Sequence, residues 1–332
     1  MARALSTIDN FVDVNIHHVG PMCIQCPKCL AFRFKKEKNT ICCYNGKTTN
    51  EHINHPIVHP MLNELYMGTT PKSRDFLKSI RKYNQTFAFT SMQSKFQSGQ
   101  VEGRGVYTFR VNGELCHHIG SLQPDLDQDA RFAQIYFLDE DLQTNRHMEV
   151  FDDLHRDIIN NIQEVLESIN ALVCGFKSSH DVLHRRQNMG LRISGEVPFG
   201  EHPRRYNRQV VPEVAAVVLD EQYMNFGRDI ILHQHGGGLQ RIKEVHPAYD
   251  ALSYPLLFPN GQCGWSPSFK ADTGVTLKSY VQYLLQKRPE FNVLHKAGRL
   301  FPQYVVDQYL RVEHENLLFI RHHQTKLRAE CY

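Results

Sequence analysis

The sequence predicts an α+β fold: a small Cys-rich, zinc-like N-terminal lobe, a β-rich middle with a packing helix, and a helical C-terminal part. Three observations carry this expectation. Five cysteines crowd between Cys23 and Cys43. Runs rich in β-formers occupy much of residues 87–138. Further on, apolar residues recur every three or four positions over long stretches, the spacing of helices with one buried face.

Bulk composition narrows the class. With 332 residues, 41% of them apolar and 22% charged, the chain can bury a large core and divide into two or three domains. A net charge of +3 neither demands nor forbids a nucleic-acid partner. No apolar run is long enough to cross a membrane, and MARALSTIDNFVDVNIHHVG has no apolar core of the signal-peptide kind. Nine cysteines in such a chain point to a reducing compartment, and to metal binding before disulfides.

The N-terminal lobe, residues 1–50, carries the sharpest chemistry. Cys26-Pro-Lys-Cys29 is a C-x2-C turn that sets two thiolates on one side of a tetrahedral ion, and the pair Cys42-Cys43 follows. One of that pair supplies a third ligand. Cys23, His18 or the other member of the pair remains open as the fourth. Lys28, Arg33, Lys35, Lys36, Lys38 and Lys47 surround the cluster; they favour thiolates and suit phosphates. Residues 51–72, polar and punctuated by prolines, read as a linker.

Residues 73–270 are expected to form an α+β DNA-binding domain. A short amphipathic helix over 73–83 opens it, behind a Ser73 cap. Strands are expected at 87–90, 106–111, 115–119 and 133–138, with Asn112-Gly113 as a hairpin turn. Such strands can close a small barrel that stacks bases, although strand aromatics more commonly fill a core. A helix over 149–173 presents Leu154, Ile158, Ile162, Val165, Ile169 and Leu172 as one packing stripe. Basic residues Lys177, Arg185, Arg186, Arg192, Arg204, Arg205 and Arg208 then offer phosphate-binding forks, or simply a solvated face. After a buried strand at 214–219, residues 229–242 read as a hairpin turning on Gly236, Gly237 and Gly238, followed by a proline-aromatic run, 249–259, pinned across a core.

His233 and His235 share a strand face and could hold a metal as a two-histidine nuclease does; the plainer reading is two solvent-exposed residues. Residues 271–332 read as helical. One helix covers 276–287. Another covers 300–327, with Phe301, Val305, Tyr309, Val312, Phe319 and Leu327 inward and Arg311 outside. The chain is expected to continue past Tyr332.

MCIQCPKCLAFRFKKE with ICCYNGK resembles the cysteine segment near the start of Helitron transposon proteins, the rolling-circle Rep-helicase polyproteins. The likeness continues through FAFTS (87–91), YTFRVNGELCHHIGSL (107–122), FAQIYFLD (132–139), RRYN (204–207), DIILHQHGGGLQRIKEVHPAYDALSYPLLFPNG (229–261) and residues 298–332. The last segment looks like the start of the Helitron helicase-like domain. The resemblance implies the N-terminal DNA-recognition part of a nuclear transposition protein, binding transposon ends or single strands beside downstream nuclease and helicase modules. It supports Cys26, Cys29, Cys42 and Cys43 as zinc ligands. No G-x-x-x-x-G-K-[ST] occurs, so no ATP cradle is expected, and no catalytic residue is carried over.

Overall fold

A computed structural model gives the architecture. It describes residues 19–324 except 39, 49–52, 54–58, 98–109, 126–127, 187–188, 197–210, 220–228, 237 and 291. The fold is α+β, with helices outweighing three small sheets.

The chain opens with a two-stranded antiparallel hairpin, β1 (Ile24–Gln25) and β2 (Phe32–Arg33). Helix α1 (Pro60–Met67) starts on Pro60 behind a His59 cap and ends at left-handed Gly68. Helix α2 (Pro71–Phe87) is longer than its apolar spacing alone predicts and is capped by Thr70 rather than Ser73. The two side chains satisfy each other's backbone amides in a reciprocal box. Its Phe76, Ile80, Tyr83 and Phe87 recur at helical spacing and are buried.

The expected strand at 87–90 is a core staple instead. Phe87 ends α2, the Phe89 amide bonds to the Leu252 carbonyl at 2.9 Å, and the Phe89 ring stacks on Tyr136 at 4.5 Å. Strand β3 (Ser91–Gln97) follows and pairs with β4 (Arg110–Ile119). Asn112-Gly113 lies within β4 and does not form the expected hairpin turn. The register shifts between Gln93/Lys95 while the partner strand advances from Cys116 to Asn112, so the glycine marks a bulge. The expected strand over 133–138 is a 3-10 helix, Phe132–Phe137, whose Ala133, Ile135, Tyr136 and Phe137 are all buried. A short apolar run cannot declare its period, and here packing on Phe89 and Phe176 decides it. No barrel forms among the described residues.

The stripe expected over 149–173 belongs to a pair of helices, after a separate α3 (Glu140–Val150). Helix α4 (Arg156–Ile169) buries Ile158, Ile159, Ile162, Val165 and Leu166. Asn170 then breaks the run by capping α5 (Ala171–Arg185) through the Leu172 and Val173 amides. Strand β5 (Met189–Ile193) is the centre of the second three-stranded sheet, between β6 (Val214–Val218) and β7 (Ile230–His233). Strand β6 is half-buried rather than fully so. Gly175 of α5 meets it so closely that a Cβ there would lie 2.6 Å from Val214 Cβ.

The hairpin expected over 229–242 does not form. Strand β7 pairs with β5, whereas β8 (Gln240–Arg241) pairs with β4, so the chain passes from one sheet to the other with Gly236 and Gly238 left-handed between them. The sheets are stitched where Leu122 and Gln123 amides bond to His233 and Gln234 carbonyls, each at 2.9 Å.

The proline-aromatic run does cross the core. Its first residues form a one-turn helix, α6 (Tyr249–Ser253), and every residue through Pro259 is buried. The remaining helices are α7 (Pro267–Thr273), α8 (Leu277–Leu285), α9 (Val293–Lys296) and the long α10 (Leu300–His322).

Candidate metal centre

Two loops far apart in the ligand spacing build one buried cluster. In the first, the Leu30 amide bonds back to the Cys26 carbonyl and the Cys26 amide to that of Ala31, both at 2.9 Å; Leu30 turns the chain at φ +58. This tight knuckle turns Cys26 and Cys29 inward. In the second, Cys43 caps a 3-10 turn, Tyr44–Gly46, its Sγ accepting from the Gly46 amide at 3.3 Å. Tyr44 and Asn45 are both left-handed there, at φ +49 and +60. Lys28 ties the loops together by donating to the Asn45 carbonyl at 2.8 Å and its side-chain oxygen at 3.1 Å.

The Sγ atoms of Cys26, Cys29, Cys42 and Cys43 all lie within 4.8 Å of one another. Cys26 and Cys43 are 3.8 Å apart, and Cys42 and Cys43 4.0 Å. A tetrahedral ion with metal–sulfur bonds of about 2.3 Å needs sulfurs about 3.8 Å apart. Disulfides need about 2.05 Å, so these are free thiols at ion-binding spacing. The open fourth position is filled by the second member of the Cys42-Cys43 pair. Cys23 is exposed and stands outside the cluster; His18 lies outside the described residues.

The thiols differ in acidity. Burial works against the Cys26 thiolate, yet the Lys28 and Cys29 amides bring it down to about 7. Burial, joined by neighbouring thiols, raises Cys42 and pushes Cys43 up to about 11. Four thiolates repel in a buried space, and a divalent cation removes that repulsion. The donor set fits zinc, and among the described residues no other metal-ligand group of this kind forms.

The lobe is bolted to the C-terminal helices. The Phe32 amide bonds to the Lys287 carbonyl at 2.8 Å. Arg288 donates to the Cys29 carbonyl at 3.1 Å and to that of Tyr283 at 2.8 Å, while lying 3.9 Å over the Tyr283 ring.

The predicted basic set is divided. Lys177 pairs with Glu167 at 2.8 Å and Arg192 with Asp229 at 2.9 Å, both within the fold. Arg185 and Arg186 stand exposed at the end of α5. Arg204, Arg205 and Arg208 lie outside the described residues. His233 and His235 line an open cavity of about 620 Å³ with His184, but these three do not converge as ligands. Gln234, between them, lines the same cavity and donates to the Leu183 carbonyl at 2.7 Å.

Residues 280–332 match the family model of the Helitron helicase-like domain at N-terminus. The C-terminal part of the chain is thus similar to the Helitron helicase-like domain. No curated protein matches the chain. The Helitron helicase-like segment includes most of α8, the arginine that grips the cysteine lobe, and all of α10.

That last helix holds what the sequence reading missed. Arg311, expected outside, is fully buried, whereas Tyr309 and Phe319, expected inside, are 67% and 56% exposed. The inward face is Leu300, Tyr304, Asp307, Gln308 and Arg311. Arg311 pairs with Asp250 at 3.2 Å, lies 4.8 Å over the Tyr249 ring, and donates to the Glu244 and Trp265 carbonyls. Gln308 donates to the other Asp250 oxygen at 2.7 Å. Asp307 accepts from Tyr249 at 3.0 Å and lies 3.2 Å from His117, which reaches Thr90 at 3.3 Å. Burial raises Asp250 despite Arg311. At Asp307 burial is overcome by hydrogen bonding, chiefly with His117, and the carboxyl stays below its ordinary range. The signal was present in the spacing of Tyr304, Asp307 and Arg311, but charges on a stripe normally announce the solvent side.

Proposed function

We propose that this chain is the DNA-recognition part of a Helitron-type rolling-circle transposition protein, non-catalytic by itself, with a structural zinc held by Cys26, Cys29, Cys42 and Cys43. It works in the nucleus beside nuclease and helicase modules of the same polyprotein. The observation that carries this reading is the four-thiol cluster, set in a basic lobe and clamped by Arg288 to the Helitron helicase-like segment. Bound zinc would neutralise the thiolates and cross-link the two loops, fixing the lysines around them. No helix among the described residues is long and apolar enough to cross a membrane.

The test is DNA binding by the purified chain across a salt series. Neutralised phosphates release counterions, so affinity should fall steeply with salt. Weak binding indifferent to salt would sink the reading. Charge reversal at Arg185 and Arg186, and at Arg204 and Arg205, should weaken binding across many sequences. Metal analysis should find about one zinc per chain, and less than about half an equivalent counts against the site. Manganese-dependent nicking lost on His233→Ala would replace this reading with a nuclease.

A further inference from the structure

The cysteine lobe does not lie flat against the body. Between it and the α7–α8 junction is an open cleft of about 700 Å³. Its cations are Lys38 and Lys47 from the lobe and Lys278 from α8, all exposed. Threonine and serine hydroxyls fill much of the remaining wall, and none of the lining residues carries a carboxylate. The first turn of α8, capped by Thr276, also faces the cleft and adds its positive end. Charge and hydroxyl donors together suit a phosphodiester.

One wall is aromatic. Tyr44 is 52% exposed, although it directly follows the two buried thiols Cys42 and Cys43. Its left-handed backbone is an unfavourable conformation for a tyrosine, maintained by the Cys43–Gly46 turn and the Lys28 brace. Lys47 sits 5.8 Å over the same ring. An exposed ring beside lysines in a carboxylate-free cleft offers a base a stacking surface and its phosphate a counter-charge. Only an unpaired base can use both, because a duplex keeps its base faces covered.

We propose that this cleft grips single-stranded DNA, with a base stacked on Tyr44 and the backbone held by Lys38, Lys47 and Lys278. The inference rests on the DNA-binding reading above and adds to it a location and a strand preference. The metal centre then has a second role, presenting Tyr44 through the turn that holds Cys42 and Cys43.

The experiment is fluorescence anisotropy of the full chain with labelled oligothymidylate and with a duplex of equal length. Tyr44→Ala should weaken single-strand binding about tenfold and leave duplex binding unchanged, while Tyr44→Phe retains the wild-type affinity. Lys278→Gln should reduce the single-strand salt slope by about 0.7. Zinc content, measured on each variant, identifies any loss that comes from the lobe unfolding. If Tyr44→Ala and Lys278→Gln, with zinc retained, bind oligothymidylate undiminished while the chain still binds DNA salt-dependently, the cleft is overturned and the broader reading stands. If the wild-type chain binds no DNA, both fall.

Discussion

The cysteine lobe and the buried face of α10 solve the same problem in opposite ways. Each gathers ionisable groups away from water. Around α10 the buried groups find partners within the fold: Arg311 pairs with Asp250, and Asp307 accepts from Tyr249 and lies against His117. In the lobe, four thiols face one another and burial drives two of them towards the neutral form. A cluster whose groups are partnered internally is a lock between distant segments. A one-sign cluster needs a cation from outside.

The largest expected effect comes from breaking the lock. Arg311→Ala leaves Asp250 buried without its cation and should cost about 3–5 kcal/mol in urea unfolding. Arg311→Met with Asp250→Asn should recover a good part of that, because the unpaired charge is then gone. If the single and double variants unfold alike, the pair is not what joins α10 to α6.

Breaking the other cluster should act locally. Cys42→Ser, or zinc chelation, should open residues 19–48 to protease while α10 amides keep their hydrogen-exchange protection. Loss of protection at both ends would mean that the Arg288 clamp makes the lobe and helices one cooperative unit.

A smaller, pH-dependent effect sharpens the contrast. Fully buried His147 packs 4.5 Å from the Phe87 ring, and neither ring nitrogen has a hydrogen bond of ordinary geometry. Burial holds it down to about 3. An unfolded histidine titrates near about 6.5, so on acidification the unfolded chain takes up the proton first. Stability is complete above about pH 6.5 and falls by about 1.4 kcal/mol per pH unit toward pH 3. His246, held at about 4 by burial, adds in the same direction. His147→Leu should therefore flatten the acid limb of stability measured between about pH 7 and pH 5, leaving the His246 contribution. An unchanged slope would place the titrating group elsewhere.

The smallest effect belongs to Lys177→Ala. Its pair with Glu167 is partly solvated, and its loss should change stability by less than about 1 kcal/mol in the same urea assay.

The sequence by itself determined what depends on near neighbours. Helical spacing located α4 and α8 and most of α10, and the cysteine spacing named Cys26, Cys29 and one of the Cys42-Cys43 pair while leaving the fourth position open. Tertiary structure decided the rest. It sent β7 and β8 to different sheets, coiled 132–137 into a 3-10 helix, and turned Arg311 inward against Asp250. It also chose the second Cys42-Cys43 thiol over Cys23. Periodicity records which side of an element is apolar, and a C-x2-C turn is complete within four residues. A strand's partner, or the carboxylate that lets an arginine leave water, lies far along the chain and becomes definite only when the core closes.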